Sequence, residues 1–282
     1  MVIAGSDEEG MYGALGLAYI APELRENRGE VEAAEAGILP EILPYNAVKG
    51  DIHIHTAWGD GAHSIREMAE AAQALGYEYI AVCDHAKGDK FPRGLDGEKI
   101  AEQRAEIEKV NRVLEGITVL AGIECSIEKD GVLDVSAALL ADLDIVFAAV
   151  YSAPDMEEQR MTDRLIAAMH NDNLDILAHP ANRILLQREP SRFDVAAVAK
   201  AAAGLRVSLE INAHPARLDL PDTACMAAQK HGVKFAIGTD AHKTEGLRTM
   251  DLGIATARRG WLAAGDVINT LPLAGLYTII GS

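Results

Sequence analysis

From Gly50 onward, short apolar, β-branched runs alternate with stretches of helical periodicity, and this alternation restricts the fold more than any other feature of the chain. The runs lie at Asp51–Thr56, Tyr79–His85, Thr118–Glu124, Asp144–Val150, Asp175–His179, Arg206–Asn212 and Lys234–Asp240. Helical patterns occupy Ser64–Leu75, Gly97–Leu114, Ser136–Asp142, Glu158–His170, Asp194–Ala203 and Asp222–His231, with another at about Asp251–Arg259. Strands that alternate with helices imply parallel strands joined by crossovers. Seven such units suggest a β/α barrel more than an open sheet. Local chemistry agrees: Ser64 and Glu67 form a Ser-x-x-Glu capping box, and Gly76 suits a C-cap.

Residues 1–48 differ. They hold Pro22, Pro40 and Pro44, an acidic run at Asp7–Glu9, a short amphipathic helix around Glu30–Glu35 and a connector-like stretch at Tyr19–Gly29. The expectation is a two-part chain, with an N-terminal arm over 1–48 and the barrel over 49–282. The net charge of −17 argues against a broad basic surface, so any nucleic-acid contact must be local, metal-assisted or supplied by a partner. Cys83, Cys125 and Cys225 show no CxxC spacing, which suits a reducing cytoplasm. No Lys or Arg precedes Arg25, and no apolar run reaches the roughly 18 residues of a membrane span. A soluble cytoplasmic protein without a membrane partner is expected.

The metal-capable residues fall where the strands end. His53 and His55 project to one side of the first strand, and Asp60 follows in the first loop. His85 closes the second strand, Glu124 the third, His179 the fifth, and Asp240 with His242 the seventh. C-terminal strand ends of a β/α barrel converge on one mouth, so five of the seven offer imidazole or carboxylate to a single cavity. Mixed ligands of this kind suit Zn, Mn or Fe, and a shared carboxylate suits a multinuclear cluster. Such clusters lower the pKa of a bound water and clamp phosphoryl oxygens. Lys87, Arg93, Arg183, Arg188 and Arg217 lie in the loops of the same face and are candidate phosphate clamps. Strand alternation is expected to turn Cys83 and Cys125 away from the cavity into the core. His63, His170, His214 and His231 fall on helices or loops and are expected at the surface.

The segments DIHIHTAWGDG, VCDH, AGIE, LAHP and GTDAH, in that order, resemble the signature motifs of the polymerase and histidinol phosphatase (PHP) domain. RGLD at Arg93–Asp96, RLDL at Arg217–Leu220 and ARRGWL at Ala257–Leu262 are similar to the version found at the C-terminus of bacterial family X DNA polymerases. ALGLAYIAPELRENRGEVEAA resembles the join between polymerase and PHP domain in those proteins, so the arm reads as the remnant of a preceding polymerase-type domain. The resemblance implies a distorted seven-stranded, TIM-like α/β barrel, the PHP fold, holding two or three metal ions, Mn and/or Zn with Fe as a further option. One would take His53, His55, Glu124 and Asp240; a second would share Glu124 and take His179; a third would use Asp60, His85 and His242. It also implies a metal-bridging hydroxide as nucleophile, His85, His179 and Asp240 as catalytic groups, and 3′–5′ exonuclease or related DNA-end phosphodiesterase activity. Tyr151 stands where the family has a histidine ligand of the second metal. Either its phenolate binds that metal, or the phenol stays neutral and the second site is weak or absent. A small phosphate ester of the histidinol phosphate type is the alternative substrate, and a metal-bound accessory module of a polymerase is a third reading.

Overall fold

The computed structural model describes residues 5–280. Helix α1 (Glu8–Ala14), a 3-10 turn at Pro22–Leu24 and helix α2 (Glu30–Ala36) come first. The alternating region follows as β1 (Gly50–Ile54), α3 (Ile65–Ala74), β2 (Tyr79–Val82), α4 (Gly97–Val113), β3 (Thr118–Ser126), α5 (Ala137–Leu140) and β4 (Ile145–Ala149). It continues through α6 (Glu158–Ala168), β5 (Ile176–Leu177), α7 (Val195–Leu205), β6 (Ser208–Asn212), α8 (Asp222–Gln229), β7 (Phe235–Gly238), α9 (Met250–Arg259) and α10 (Leu273–Leu276). The strands are parallel and pair in sequence order, β1 to β7. The Ser64 capping box forms with both of its hydrogen bonds, and Gly76 adopts φ +89° directly after α3, as a helix-terminating glycine does.

The seam between β1 and β7 brings the sheet nearly to a closed barrel. At the mouth, the Asp240 amide donates to the His53 carbonyl and the His55 amide to the Ala241 carbonyl, both at 2.9 Å. Midway, the Asp51 carboxylate accepts from the Thr239 amide and hydroxyl. At the far end the fully buried Asn269 amide donates to the carbonyls of Gly50 and Ile237, and its oxygen accepts from the Ile237 amide. A side chain thus completes the ladder where the two strands splay.

Several strands are shorter than the sequence patterns, because their last residues leave the ladder to enter the site. β5 keeps two residues, and His179 beyond it turns with φ +26°. Asp240 does the same after β7 with φ +54°. Left-handed backbone at non-glycine residues is strained and tends to mark functional positions.

Inside the barrel, Ile52, Tyr79, Ala81, Cys83, Leu120, Phe147 and Ala236 form one buried cluster, and separate clusters fill the space between sheet and helices. Cys125 lies outside the sheet as expected, but Cys83 does not. It shares the strand parity of His85 and therefore points inward with it. Gly122 makes room for it, since a Cβ there would come 2.8 Å from the Cys83 sulfur.

The N-terminal segment is strapped to α9. Ile20, Leu24 and Ala34 pack with Trp261. Arg258 pairs with Glu23 at 2.7 Å and Arg259 with Glu26 at 2.5 Å, while Asp222 receives both Arg28 and Arg259 at 2.9 Å. Among the described residues no helix is long and apolar enough to cross a membrane.

Candidate metal centre

Glu124, at 1% exposure on β3, is the hub of the barrel mouth. One carboxylate oxygen lies 3.4 Å from His53 Nε2, 3.6 Å from His55 Nε2 and 3.1 Å from His85 Nδ1; the other lies 3.0 Å from His179 Nε2. His55 Nε2 also lies 3.1 Å from Asp240. Beside this core, His55, Asp60, His85 and His242 bring ligand atoms within 4.8 Å of one another, as do His53, His55 and Glu124. Both Glu124 oxygens, His179 Nε2 and His85 Nδ1 are buried with no hydrogen-bond partner, despite these short separations. Buried polar atoms are otherwise almost always hydrogen-bonded. Nitrogens and oxygens crowded together in this way fit a shared cation.

The carboxylates and imidazoles are strongly coupled. Burial raises Glu124 and Asp240, yet the surrounding histidines hold both well below the usual carboxylate range. Asp60 is held at about 2, because the hydrogen bond from His242 and the charge of His85 outweigh burial. Burial would lower His53, but the carboxylates of Glu210 and Glu124 push it well above its ordinary value. His242 is raised to about 9 against burial by Asp60 and Asp240, whereas burial and the neighbouring His85 lower His55 to about 3. Three ionised carboxylates in a largely buried mouth call for compensating positive charge, which protonated histidines or bound cations could supply.

Orientation of the candidate ligands comes from a surrounding layer that sequence patterns did not single out. Glu210 on β6, fully buried, accepts from His53 Nδ1 at 2.6 Å and from the His179 amide at 2.7 Å. Because a carboxylate only accepts, a proton of His53 sits on Nδ1, which leaves Nε2, on the side facing Glu124, as the nitrogen that could bind a cation. Asn212 donates to Asp240 at 3.1 Å, and the Asp84 carboxylate holds the Thr56 amide and hydroxyl and the Gln103 amide. The signal for Glu210 was present in the sequence as a charged residue inside an otherwise buried strand, a placement rarely tolerated without a partner.

Tyr151 brings its ring to the mouth, edge-on to His85 at 5.5 Å and to His179 at 5.9 Å. Its hydroxyl is buried without a hydrogen-bond partner, and burial together with Glu124 pushes the phenol well above its ordinary pKa.

The candidate cations divide. Arg217 lies 3.3 Å from Asp240 and leaves a buried Nη1 without a partner. Arg93 lines a pocket beside Asp60 and His85. Lys87 instead pairs with Asp96 at 3.0 Å. Arg183 donates to the carbonyls of Arg217 and Leu218, and Arg188 to the backbone and side chain of Asn182. Of the remaining histidines, His170 and His231 are exposed. His63 and His214 are half-buried at the mouth loops, where they accept from the amides of Thr244 and Ala216.

Comparison with known proteins agrees with this geometry. Residues 51–220 match the PHP domain family. The chain is 40% identical over 266 residues to the DNA polymerase/3′-5′ exonuclease PolX of Bacillus subtilis (strain 168), an alignment covering 94% of this chain and 46% of that protein. It therefore spans about half the length of that relative. It is 29% identical to a probable phosphatase of Thermoanaerobacter sp. (strain X514), over 78% of this chain and 89% of the relative. Its fold resembles that of histidinol phosphate phosphatase from Lactococcus lactis, solved with zinc, L-histidinol and phosphate, at a TM-score of 0.54 and 15% identity. That likeness covers 76% of this chain and 95% of the other.

Proposed function

The chain belongs to the PHP domain family, and from that membership we propose that it is a metal-dependent phosphoesterase that hydrolyses DNA from its 3′ end. The observation that carries the proposal is the buried Glu124 carboxylate, with four histidine nitrogens 3.0–3.6 Å away and no hydrogen-bond partner. His53, His55, Glu124 and Asp240 would hold one divalent cation. Glu124 and His179 would hold a second, with the orphaned Tyr151 hydroxyl as a further donor, and Asp60, His85 and His242 a third. The mixed donor set suits Mn or Zn, and Fe as well. Cations bound there would lower the pKa of a water and offset charge on phosphoryl oxygens.

The chain's own groups do the rest. Glu124 spaces the ligands, and Asp240 and His179, on strained backbone, are held in place by Asn212 and by Glu210. Arg217, with one nitrogen free, is the candidate phosphate clamp inside the mouth, and Arg93 the one at its rim. Arg183 enters as the residue that holds the Arg217 turn, through the two carbonyls it binds. Buried, unpaired cysteines support a reducing, cytoplasmic setting. A polymerase domain, in the same chain or as a partner, belongs to the proposal because the B. subtilis relative joins both activities in its name. Residues 1–48 would then be the arm that leads into the 49–282 PHP domain, of which 1–4 and 281–282 lie outside the described residues.

The test is Mn-dependent degradation of a 5′-labelled single-stranded oligonucleotide. A ladder shortening from the 3′ end is expected, with loss of at least about a hundredfold in His179→Ala, the scale on which removing a group that positions reactants acts. Undiminished turnover in that variant would reject the assignment. A second reading, hydrolysis of a small phosphomonoester, is favoured by the net charge of −17 and by the probable phosphatase relative. It predicts an intact oligonucleotide and release of inorganic phosphate from a small monoester.

A further inference from the structure

We propose that the pocket beside Asp60 and His85 receives the nucleobase of the 3′-terminal nucleotide, with Phe91 as its stacking surface. This rests on the reading of the site as acting at DNA 3′ ends, and it adds how such an end is recognised.

The segment between β2 and α4 folds back on itself. The Lys87 amide donates to the Leu95 carbonyl and the Leu95 amide to the His85 carbonyl, both at 2.9 Å. Gly94 closes the turn tightly, since a Cβ there would come 2.5 Å from the Ala86 carbonyl oxygen. The result is a short flap, anchored to a candidate ligand, with Lys90, Phe91, Pro92 and Arg93 at its tip. Phe91 lies parallel to His85, with ring centroids 3.6 Å apart and planes at 15°, and meets Tyr151 edge-on at 4.7 Å. It is only half-buried, so part of its ring remains available. The tip, Asp60 and His85 line a pocket of about 340 Å³.

The chemistry of this lining is that of a nucleotide. Every base offers a π-face to an aromatic ring, whatever its identity. Lys90 and Arg93 form no ion pair among the described residues, so their charges are available to phosphate in a strongly acidic protein. Asp60 and His85 put the proposed metal centre at the wall of the same pocket. A phosphate ester without a ring would engage the cations and leave the exposed part of the Phe91 ring unused.

The experiment compares two single-stranded oligonucleotides, one ending in thymidine and the other in a 3′-terminal tetrahydrofuran abasic residue. In the Mn-loaded wild-type protein, kcat/KM for the base-bearing end should exceed that for the abasic end by at least about fivefold, the lower limit of one base–aromatic stack. Phe91→Ala should bring the ratio close to one, mainly through KM, while Phe91→Trp should keep it. A ratio near one in wild type overturns the proposal. So does an equal loss on both ends in Phe91→Ala, because the ring would then serve only to cover His85. If wild type cleaves neither end, the exonuclease reading itself fails and this inference falls with it, an outcome distinct from equal cleavage of both.

Discussion

The hub of the site is a single carboxylate, and its geometry depends on residues that stand behind the candidate ligands. Glu210 shows this best. One oxygen accepts from His53 Nδ1, and the other from the His179 amide, with the Asn212 amide also on it at 3.3 Å. A glutamine of the same size has one accepting oxygen and one donating nitrogen, so in Glu210→Gln the bond to His53 or the bond to His179 must break. If the amide faces His53, the imidazole is driven to the other tautomer and Nε2 loses its lone pair. The fold should survive, since volume is unchanged, whereas affinity for Mn²⁺ or Zn²⁺ by titration calorimetry should fall roughly 10- to 100-fold. An unchanged affinity would show that Glu210 does not orient the ligand. At Tyr151, a phenol pushed well above its ordinary pKa by burial and by Glu124 would ionise only together with cation binding.

At the scale of elements, the arm, α8 and α9 share one bridging carboxylate in addition to the direct pairs of Arg258 with Glu23 and Arg259 with Glu26. Asp222, the first residue of α8, receives Arg28 from the arm and Arg259 from α9, in a position favourable for a negative charge near a helix start. Burial raises its pKa, but the two guanidinium groups outweigh burial and lower it. A carboxyl whose folded pKa lies below its unfolded value of about 3.9 stabilises the folded state above that value. The contribution is lost as pH falls through the folded pKa. Asp222→Asn should therefore cost about 1 kcal/mol at pH 7, since the pair is only partly buried. The gap to wild type in thermal denaturation should close below pH ~4. A gap independent of pH would mean that the loss is not ionic. Hydrogen exchange should rise first in the Ile20–Ala34 cluster that packs on Trp261.

For the whole molecule, the decisive device is the β1–β7 seam, because the mouth exists only when both edges meet. Asn269 serves three backbone groups there at 0% exposure. Asn269→Ala would strand the Gly50 and Ile237 carbonyls and the Ile237 amide, at a cost of roughly 3 kcal/mol or more in a denaturant midpoint analysis. A loss below 1 kcal/mol would show that water repairs the gap. Parallel strands, helix starts and most of the residues that meet at the mouth were legible in the sequence, because period-two and helical patterns and strand-end histidines are local properties of the chain. The inward turn of Cys83 was legible too, had its parity with His85 been followed. What the sequence by itself determined was thus which groups stand at the strand ends. Tertiary structure alone decided which of them meet: Glu124 among four histidines, Glu210 behind His53, and Arg217, unlike Arg183 or Lys87, beside Asp240. These outcomes depend on strand stagger, on left-handed turns at His179 and Asp240 and on hydrogen-bond partners distant in sequence. None of these has a local signature, because each is set by contacts between segments that meet only when the barrel closes.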